Sequence, residues 1–304
     1  MEDIYDLIII GAGPAGITAA VYAARKKINC MVITKDIGGQ AAWSGDIENY
    51  TGYQFIAGPE LVAKFEEHLR KYSIVLKENE GASLVTKKEN IVFVRTSKGS
   101  YRAKAAIIAS GKKSRQLGIP GEQEFKNKGL TYCATCDGPL FAKKDVAVIG
   151  GGNSALDAAL QLMRIAKRVY VINSTAGLSG DEVMREKVLE SKIISVLNNA
   201  QVSAIEGEKF VTGIKIKGEA KEETLPVQGI FVEIGLMPNS DFAEGLAKND
   251  FGEIKVDCHN RTNIEGIFAA GDVTDVPEKQ IIIAAGEGAK ASLSAFRYLA
   301  QHRF

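Results

Sequence analysis

No charge of one sign dominates this sequence: 38 Lys and Arg stand against 37 Asp and Glu, a formal net charge of +1 over 304 residues. Without a basic excess there is no general electrostatic attraction for nucleic acid or an anionic membrane surface, and neither partner is expected. Long hydrophobic runs are missing too. The first apolar stretch, residues 7–10, is far too short for a signal or membrane segment, and the residues before it are acidic. A cytoplasmic location is the expectation. Cysteine is scarce, with four in the chain, which excludes a disulfide-stapled scaffold. Histidine is scarcer still. His68, His259 and His302 are scattered and no second CxxC is present, so a structural zinc site lacks its four ligands and no metal is expected.

What is present is one close pair of thiols, Cys133-Ala134-Thr135-Cys136, followed at once by Asp137. Two thiols at this spacing close and reopen a disulfide by thiolate attack through a mixed disulfide. Asp137 is placed to relay a proton to the leaving thiolate; its other reading is a turn residue before Gly138-Pro139. Cys30 and Cys258 lie in apolar, strand-like contexts and are expected to be inert core thiols.

A dithiol needs an electron source, and two glycine-rich fingerprints bracket it. Residues 5–10 form an apolar, β-branched run ending in glycine, residues 15–26 read as helix and residues 29–34 as the next strand. The intervening Gly11-Ala12-Gly13-Pro14-Ala15-Gly16 provides a tight turn at Gly11, close approach to a pyrophosphate at Gly13 and close helix packing at Gly16. The succession recurs as strand 145–149, Gly150-Gly151-Gly152-Asn153-Ser154-Ala155, helix 154–165 and strand 168–172. Between and after these units come a helix at 59–72, strands at 91–96, 102–109, 211–217 and 229–234, and a C-terminal helix from about Gln280. Crossings at 111–121 and 235–240 place one unit inside the other. The expectation is an α/β fold of two Rossmann-like, three-layer ββα dinucleotide-binding domains, the second inserted within the first. Residues 1–114 and 242–304 form the FAD-binding domain, and residues 115–241 a nicotinamide-nucleotide-like domain carrying the CxxC.

The acid that commonly ends the second strand of such units is absent from both. In the first, Thr34 is available to a ribose, and Gly38-Gly39-Gln40 supplies backbone contacts. In the second, Asn173-Ser174-Thr175-Ala176-Gly177 contains no arginine for a 2′-phosphate and no carboxylate for a ribose diol. NADPH is therefore disfavoured as donor. Asn173 suits an unphosphorylated ribose and hence NADH, and a vestigial site is the other reading.

The Gly11 fingerprint, Gly39-Gln40, residues 133–138, the Gly150 fingerprint and Gly271-Asp272 occur in the order found in low-molecular-weight thioredoxin reductases, which the whole chain resembles. Residues 131–141, 229–239 and 280–296 most resemble the reductase part of the alkyl hydroperoxide reductase flavoprotein subunit, whose additional N-terminal thioredoxin-like region is not found here. The resemblance implies FAD along residues 11–16, Gly39, Gln40 and Asn49, with Asp272 near the ribityl chain and Gln280-Ile281 near the isoalloxazine. It implies that Cys136 faces the flavin, that Cys133 attacks the partner disulfide and that Asp137 is the proton donor. It also implies domain rotation about hinges near Ser114 and Asp241, a homodimer, and thioredoxin or a glutaredoxin-like protein as substrate. The arginine cluster of NADPH-using relatives is absent from residues 173–177. Alternatives are ferredoxin or a deazaflavin as donor, a dithiol oxidase using oxygen, and a non-enzymatic nucleotide-binding protein.

Overall fold

The computed structural model describes residues 4–44, 46–47, 49–218 and 222–304; the side chains of Trp43, Asp46, Thr135 and Cys136 lie outside that description. The chain divides into two units, Met1–Lys113 with Met237–Phe304, and Ser114–Leu236. Residues 239–240 belong to the first unit because Asn239 exchanges bonds with Gly111 and Ser110, and the Ser240 hydroxyl donates to the Gly252 carbonyl.

In the first unit, Ile4–Ala12 (β1) runs parallel to Cys30–Ile37 (β2) on one side and to Ser100–Ile108 on the other. Its residues Leu7, Ile8 and Ile9 are wholly buried, as a strand covered on both faces requires. Pro14–Arg25 (α1) follows, with proline in its first turn, where the missing N–H costs nothing. Gly58–Arg70 (α2) precedes Val75–Lys77 (β3), which extends the sheet beyond β2. Ala82–Lys88 (β4) and Ile91–Thr96 (β5) pair antiparallel, and β5 pairs antiparallel with Ser100–Ile108 (β6). The last residues of β6 instead take a parallel partner, Ile267–Ala269. Successive β1 residues serve opposite layers: Leu7 and Ile9 face α1 and the C-terminal helix, whereas Ile8 and Ile10 pack with Val85, Val92 and Val94 of the antiparallel strands.

The second unit repeats this plan. Leu130–Thr131 (β7), Asp145–Ile149 (β8), Arg168–Ile172 (β9) and Ile194–Leu197 (β10) join Gly229–Val232 in a parallel sheet ordered β7, 229–232, β8, β9, β10. Gln201–Gly207 (β11), Val211–Lys217 (β12) and Glu222–Pro226 (β13) form an antiparallel sheet. Val146 and Val148 face the helix Asn153–Leu162, whereas Ala147 and Ile149 face Ile205, Ile214 and Ile216. The fold is therefore two ββα units, one inserted in the other. The helix expected to reach residue 165 ends at Leu162, followed by turn bonds onto the Leu162 carbonyl.

The C-terminal helix is Ile281–Gln301, with Gln280 extended as its N-cap. Its Gly288 lies so close to α1 that a Cβ would sit 2.0 Å from the Ala15 carbonyl oxygen. Among the described residues, no helix is long and apolar enough to cross a membrane.

Candidate active site

The first unit brings the Gly11 to Gly16 turn, Gly38-Gly39 and Gly271 together. Gly11 has φ +104°, and a Cβ there would lie 2.2 Å from the Ala109 carbonyl oxygen; one on Gly16 would lie 1.8 Å from that of Gly11. The protein's own backbone requires both glycines. Gly13 differs. Its φ of −76° and ψ of −175° are extended backbone that any residue adopts, and the nearest atom to a Cβ there is the Gly38 oxygen at 3.9 Å. Nothing in the protein calls for glycine at this position. The open space lies at the N-terminus of α1, where free amides favour an anion, so the residues present fit a dinucleotide pyrophosphate.

Thr34 is buried; its hydroxyl accepts the Ala12 N–H at 3.2 Å and donates to the Asp36 carbonyl, fastening β1 to β2. Gln40 Nε2 donates to the Lys112 carbonyl at 3.3 Å. Asn49 Nδ2 donates to Gln280 Oε1 at 3.0 Å, bringing together positions far apart in sequence, with Ile281 next in the chain. Ala15 is buried beneath Gly271, whose N–H donates to Glu287 Oε2 at 3.0 Å. Burial pushes the Asp272 carboxyl up, while Lys279 and Lys112 pull it down. Both lysines are fixed by Glu253, at 3.1 Å and 2.6 Å respectively. Burial alone would raise the Glu253 carboxyl; hydrogen bonds from Lys112, Asn249 and Lys279 outweigh it and hold the group below the usual carboxylate range.

In the second unit a cavity of about 610 Å³ is lined by Gly150, Gly152, Asn153, Ser154 and Asn173, among others. Gly150 has φ +139°, and a Cβ there would meet the Glu233 carbonyl at 2.3 Å. Gly152 repeats the case of Gly13: φ −95° and ψ −173°, with Ser179 Oγ the nearest atom to a Cβ at 3.9 Å. Asn153 Oδ1 accepts the Asp181 N–H at 2.6 Å. Asn173 is engaged within the protein. Its amide donates to Asn198 Oδ1 at 2.9 Å and to the Thr175 carbonyl at 3.1 Å, and its oxygen accepts the Thr175 hydroxyl at 3.0 Å.

Cys133 is disulfide-bonded, whereas Cys30 and Cys258 are free. The side chain of Cys136 lies outside the described residues. Burial, with Asp6 adding to it, pushes the Cys30 thiol up to about 11, as an inert core thiol requires. The same expectation for Cys258 is corrected: it is exposed, because the Asp257 side chain accepts the N–H groups of His259 and Arg261 and turns the chain outward there.

Around the disulfide, the buried Thr131 hydroxyl accepts the Cys133 N–H at 3.2 Å and donates to Asp137 Oδ2. The Asp137 N–H returns to the Cys133 carbonyl at 3.2 Å. Thr131 thus aims the carboxylate. Releasing this carboxylate by Thr131→Val is expected to slow disulfide turnover about tenfold, with rescue by Thr131→Ser. Stopped-flow rates measured across pH check this, because a merely structural role leaves the profile's shape unchanged.

The sequence pattern of the pyridine nucleotide-disulphide oxidoreductase family matches residues 5–288. The chain belongs to this family. Among its relatives, the NADH dehydrogenase of Ferdinandcohnia aciditolerans is 44% identical over 301 residues, covering 98% of this chain and 58% of that protein. An alkyl hydroperoxide reductase component of Escherichia coli is 40% identical over 306 residues, 98% of this chain and 59% of that one. The chain therefore spans about three fifths of the length of these relatives. The solved thioredoxin reductase of Lactococcus lactis superposes with a TM-score of 0.81 at 34% identity, covering 98% of this chain and all of that one.

Several residues around these family motifs escaped the sequence reading. Thr131 and Glu233 lie inside the stretches 131–141 and 229–239 without a role read for either, and Glu253 and Lys279 carry no motif of their own, Glu253 pairing with Lys112 far away in the chain. Glu287 left a signal: it is an acid among small residues on the face of a helix, and it is buried because the Gly271 amide needs an acceptor.

Proposed function

We propose that this chain is an FAD-dependent reductase of protein disulfides, with NADH as electron donor and Cys133 and Cys136 as the dithiol. The observation that carries this reading is the disulfide-bonded Cys133, tied by Thr131 to Asp137, in the same unit as the Gly152 cavity. FAD, held by the Gly11 to Gly16 turn, Gly39, Gln40, Asn49, Asp272, Gln280 and Ile281, supplies two-electron transfer between donor and disulfide. Asp137 supplies the proton for the leaving thiolate. The substrate is thioredoxin, a glutaredoxin-like protein or another small dithiol protein of a peroxiredoxin system, in keeping with the names of the relatives.

Support for NADH comes from the cavity lining, which contains no Lys or Arg among the described residues to meet a 2′-phosphate. The Arg185 side chain nearby is turned to the Leu178 carbonyl. With Asn173 engaged by Thr175 and Asn198, the ribose is left to neutral hydroxyls. A relative named NADH dehydrogenase points the same way.

Anaerobic bleaching of the flavin with NADH, NADPH and reduced ferredoxin in turn tests the donor. Rapid bleaching by NADH alone is expected; bleaching by ferredoxin alone overturns the assignment. Gly152→Val is expected to weaken NADH binding about a hundredfold, the order for about 3 kcal/mol of lost phosphate contacts, without unfolding the unit. Unchanged NADH kinetics in this variant would show the cavity to be vestigial.

A further inference from the structure

Just beyond β9, the buried side chain of Asn173 folds back onto its own chain, and its amide is held one way round. Its Nδ2 donates to the Thr175 carbonyl at 3.1 Å, a group that only accepts, and its Oδ1 accepts the Thr175 N–H at 3.4 Å, a group that only donates. The second Nδ2 proton goes to Asn198 Oδ1 at 2.9 Å. The amide is also pressed against the glycine turn, since a Cβ on Gly151 would lie 2.3 Å from Asn173 Oδ1. Asn173 therefore has no donor left for a ligand.

This arrangement dictates the state of the hydroxyl beside it. Thr175 Oγ1 lies 3.0 Å from Asn173 Oδ1 and 2.9 Å from the Gly177 carbonyl, and these are its hydrogen-bond neighbours among the described residues. Both are acceptors. A hydroxyl has one proton and two lone pairs, so the proton is spent inward on one of these oxygens and the lone pairs are left unused by the protein. Thr175 is exposed and lines the cavity, past the second strand of its βαβ unit, where such folds hold the adenosine ribose. What it offers there is an acceptor without a charge.

We propose that Thr175 stands in for the missing carboxylate as the residue that selects NADH: its oxygen accepts the ribose 2′-OH, and its proton, held inward by Asn173 and Gly177, is withheld from a 2′-phosphate. The two nucleotides differ in what they bring to that oxygen. A ribose hydroxyl brings a proton and completes the bond. A 2′-phosphate brings acceptor oxygens and negative charge, meets lone pairs, and finds no Lys or Arg in the lining among the described residues. Selection thus comes from an attractive contact with one nucleotide and an unmatched one with the other, in addition to the lack of a cation. Asn173 is a positioning residue, acting through the proton of Thr175.

The inference rests on reading the cavity as the site of the donor nucleotide, and calorimetry on the flavin-loaded protein separates the two. ADP-ribose, its 2′-phosphate and its 2′-deoxy analogue are titrated into the parent, Thr175→Val, Thr175→Ser and Ser174→Ala proteins. In the parent, loss of the 2′-hydroxyl is expected to weaken binding about three- to tenfold. Thr175→Val should weaken ADP-ribose by the same factor, bind it and the 2′-deoxy analogue equally, and bind the 2′-phosphate no more weakly than the parent does. Thr175→Ser, which keeps the hydroxyl, should restore the parent's pattern. In turnover, the ratio of kcat/KM for NADH to that for NADPH should fall by that factor in Thr175→Val and hold in Thr175→Ser. A merely structural role would weaken all three ligands alike. Equal affinity of the parent for ADP-ribose and its 2′-deoxy analogue, which needs no variant to fold, overturns the proposal. So does a uniform loss in Thr175→Val, or a loss in Ser174→Ala as large as in Thr175→Val; each leaves the nucleotide site in place. A parent that binds no ADP-ribose overturns the site and the proposal together.

Discussion

Gly13→Val is expected to give a folded but colourless protein. A side chain at this position meets no protein atom nearer than 3.9 Å and needs no unusual backbone angle, so the apoprotein should lose no more than about 1 kcal/mol. The same side chain fills the space at the start of α1 where a pyrophosphate would be held, and removing those amide contacts at about 1.5 kcal/mol each weakens FAD binding a hundredfold or more. Gly16→Val is the control. Its Cβ would lie 1.8 Å from the Gly11 oxygen, so it should destabilise by about 3 kcal/mol or more whether or not flavin is present. Urea unfolding of flavin-stripped protein and absorbance of the purified protein separate the two effects. A yellow Gly13→Val protein with unaltered flavin affinity would remove the first unit from the FAD assignment.

That contrast marks how far the amino-acid sequence could be read. Gly11, Gly13 and Gly16 look alike in a motif, yet two are demanded by the chain's own backbone and one is left over for a ligand; only the neighbouring atoms of Gly11, Gly38 and Ala109 tell them apart. The strands at 91–96, 145–149 and 168–172 were legible to the residue because apolar, β-branched runs are closed off by glycine or polar residues. The inserted arrangement was legible because the same strand, turn and helix succession occurs twice with crossings between. Asn173 was legible as a cavity residue but not as a caged one, since its acceptor Asn198 lies 25 residues downstream. The ion cluster beneath Asp272 was invisible for the same reason: Lys112 and Glu253 are 141 residues apart. Cys258 was misread because its apolar neighbours were given more weight than Asp257, whose carboxylate turns the chain there.

Serine substitutions at the two motif cysteines should abolish protein-disulfide reduction, by about a thousandfold or more, while leaving flavin bleaching by the donor intact. On the proposed reading the donor reaction needs the Gly13 and Gly152 sites and no sulfur, whereas handing on two electrons requires one sulfur to attack and another to resolve. The two variants should differ in what they trap. With Cys133 as attacking sulfur, Cys136→Ser leaves a thiol that opens the partner's disulfide, forms one S–S bond to it and releases the partner's second sulfur as a thiolate. With no neighbour to resolve that bond, the mixed disulfide accumulates. Cys133→Ser forms no such adduct, because the sulfur tied through its backbone to Thr131 and Asp137 is gone. Non-reducing electrophoresis with thioredoxin and with a glutaredoxin-like protein reads the outcome directly and ranks the two partners by adduct yield. An adduct formed only by Cys133→Ser would reverse the roles of the two sulfurs, and full turnover in either variant would place the disulfide outside the reaction altogether.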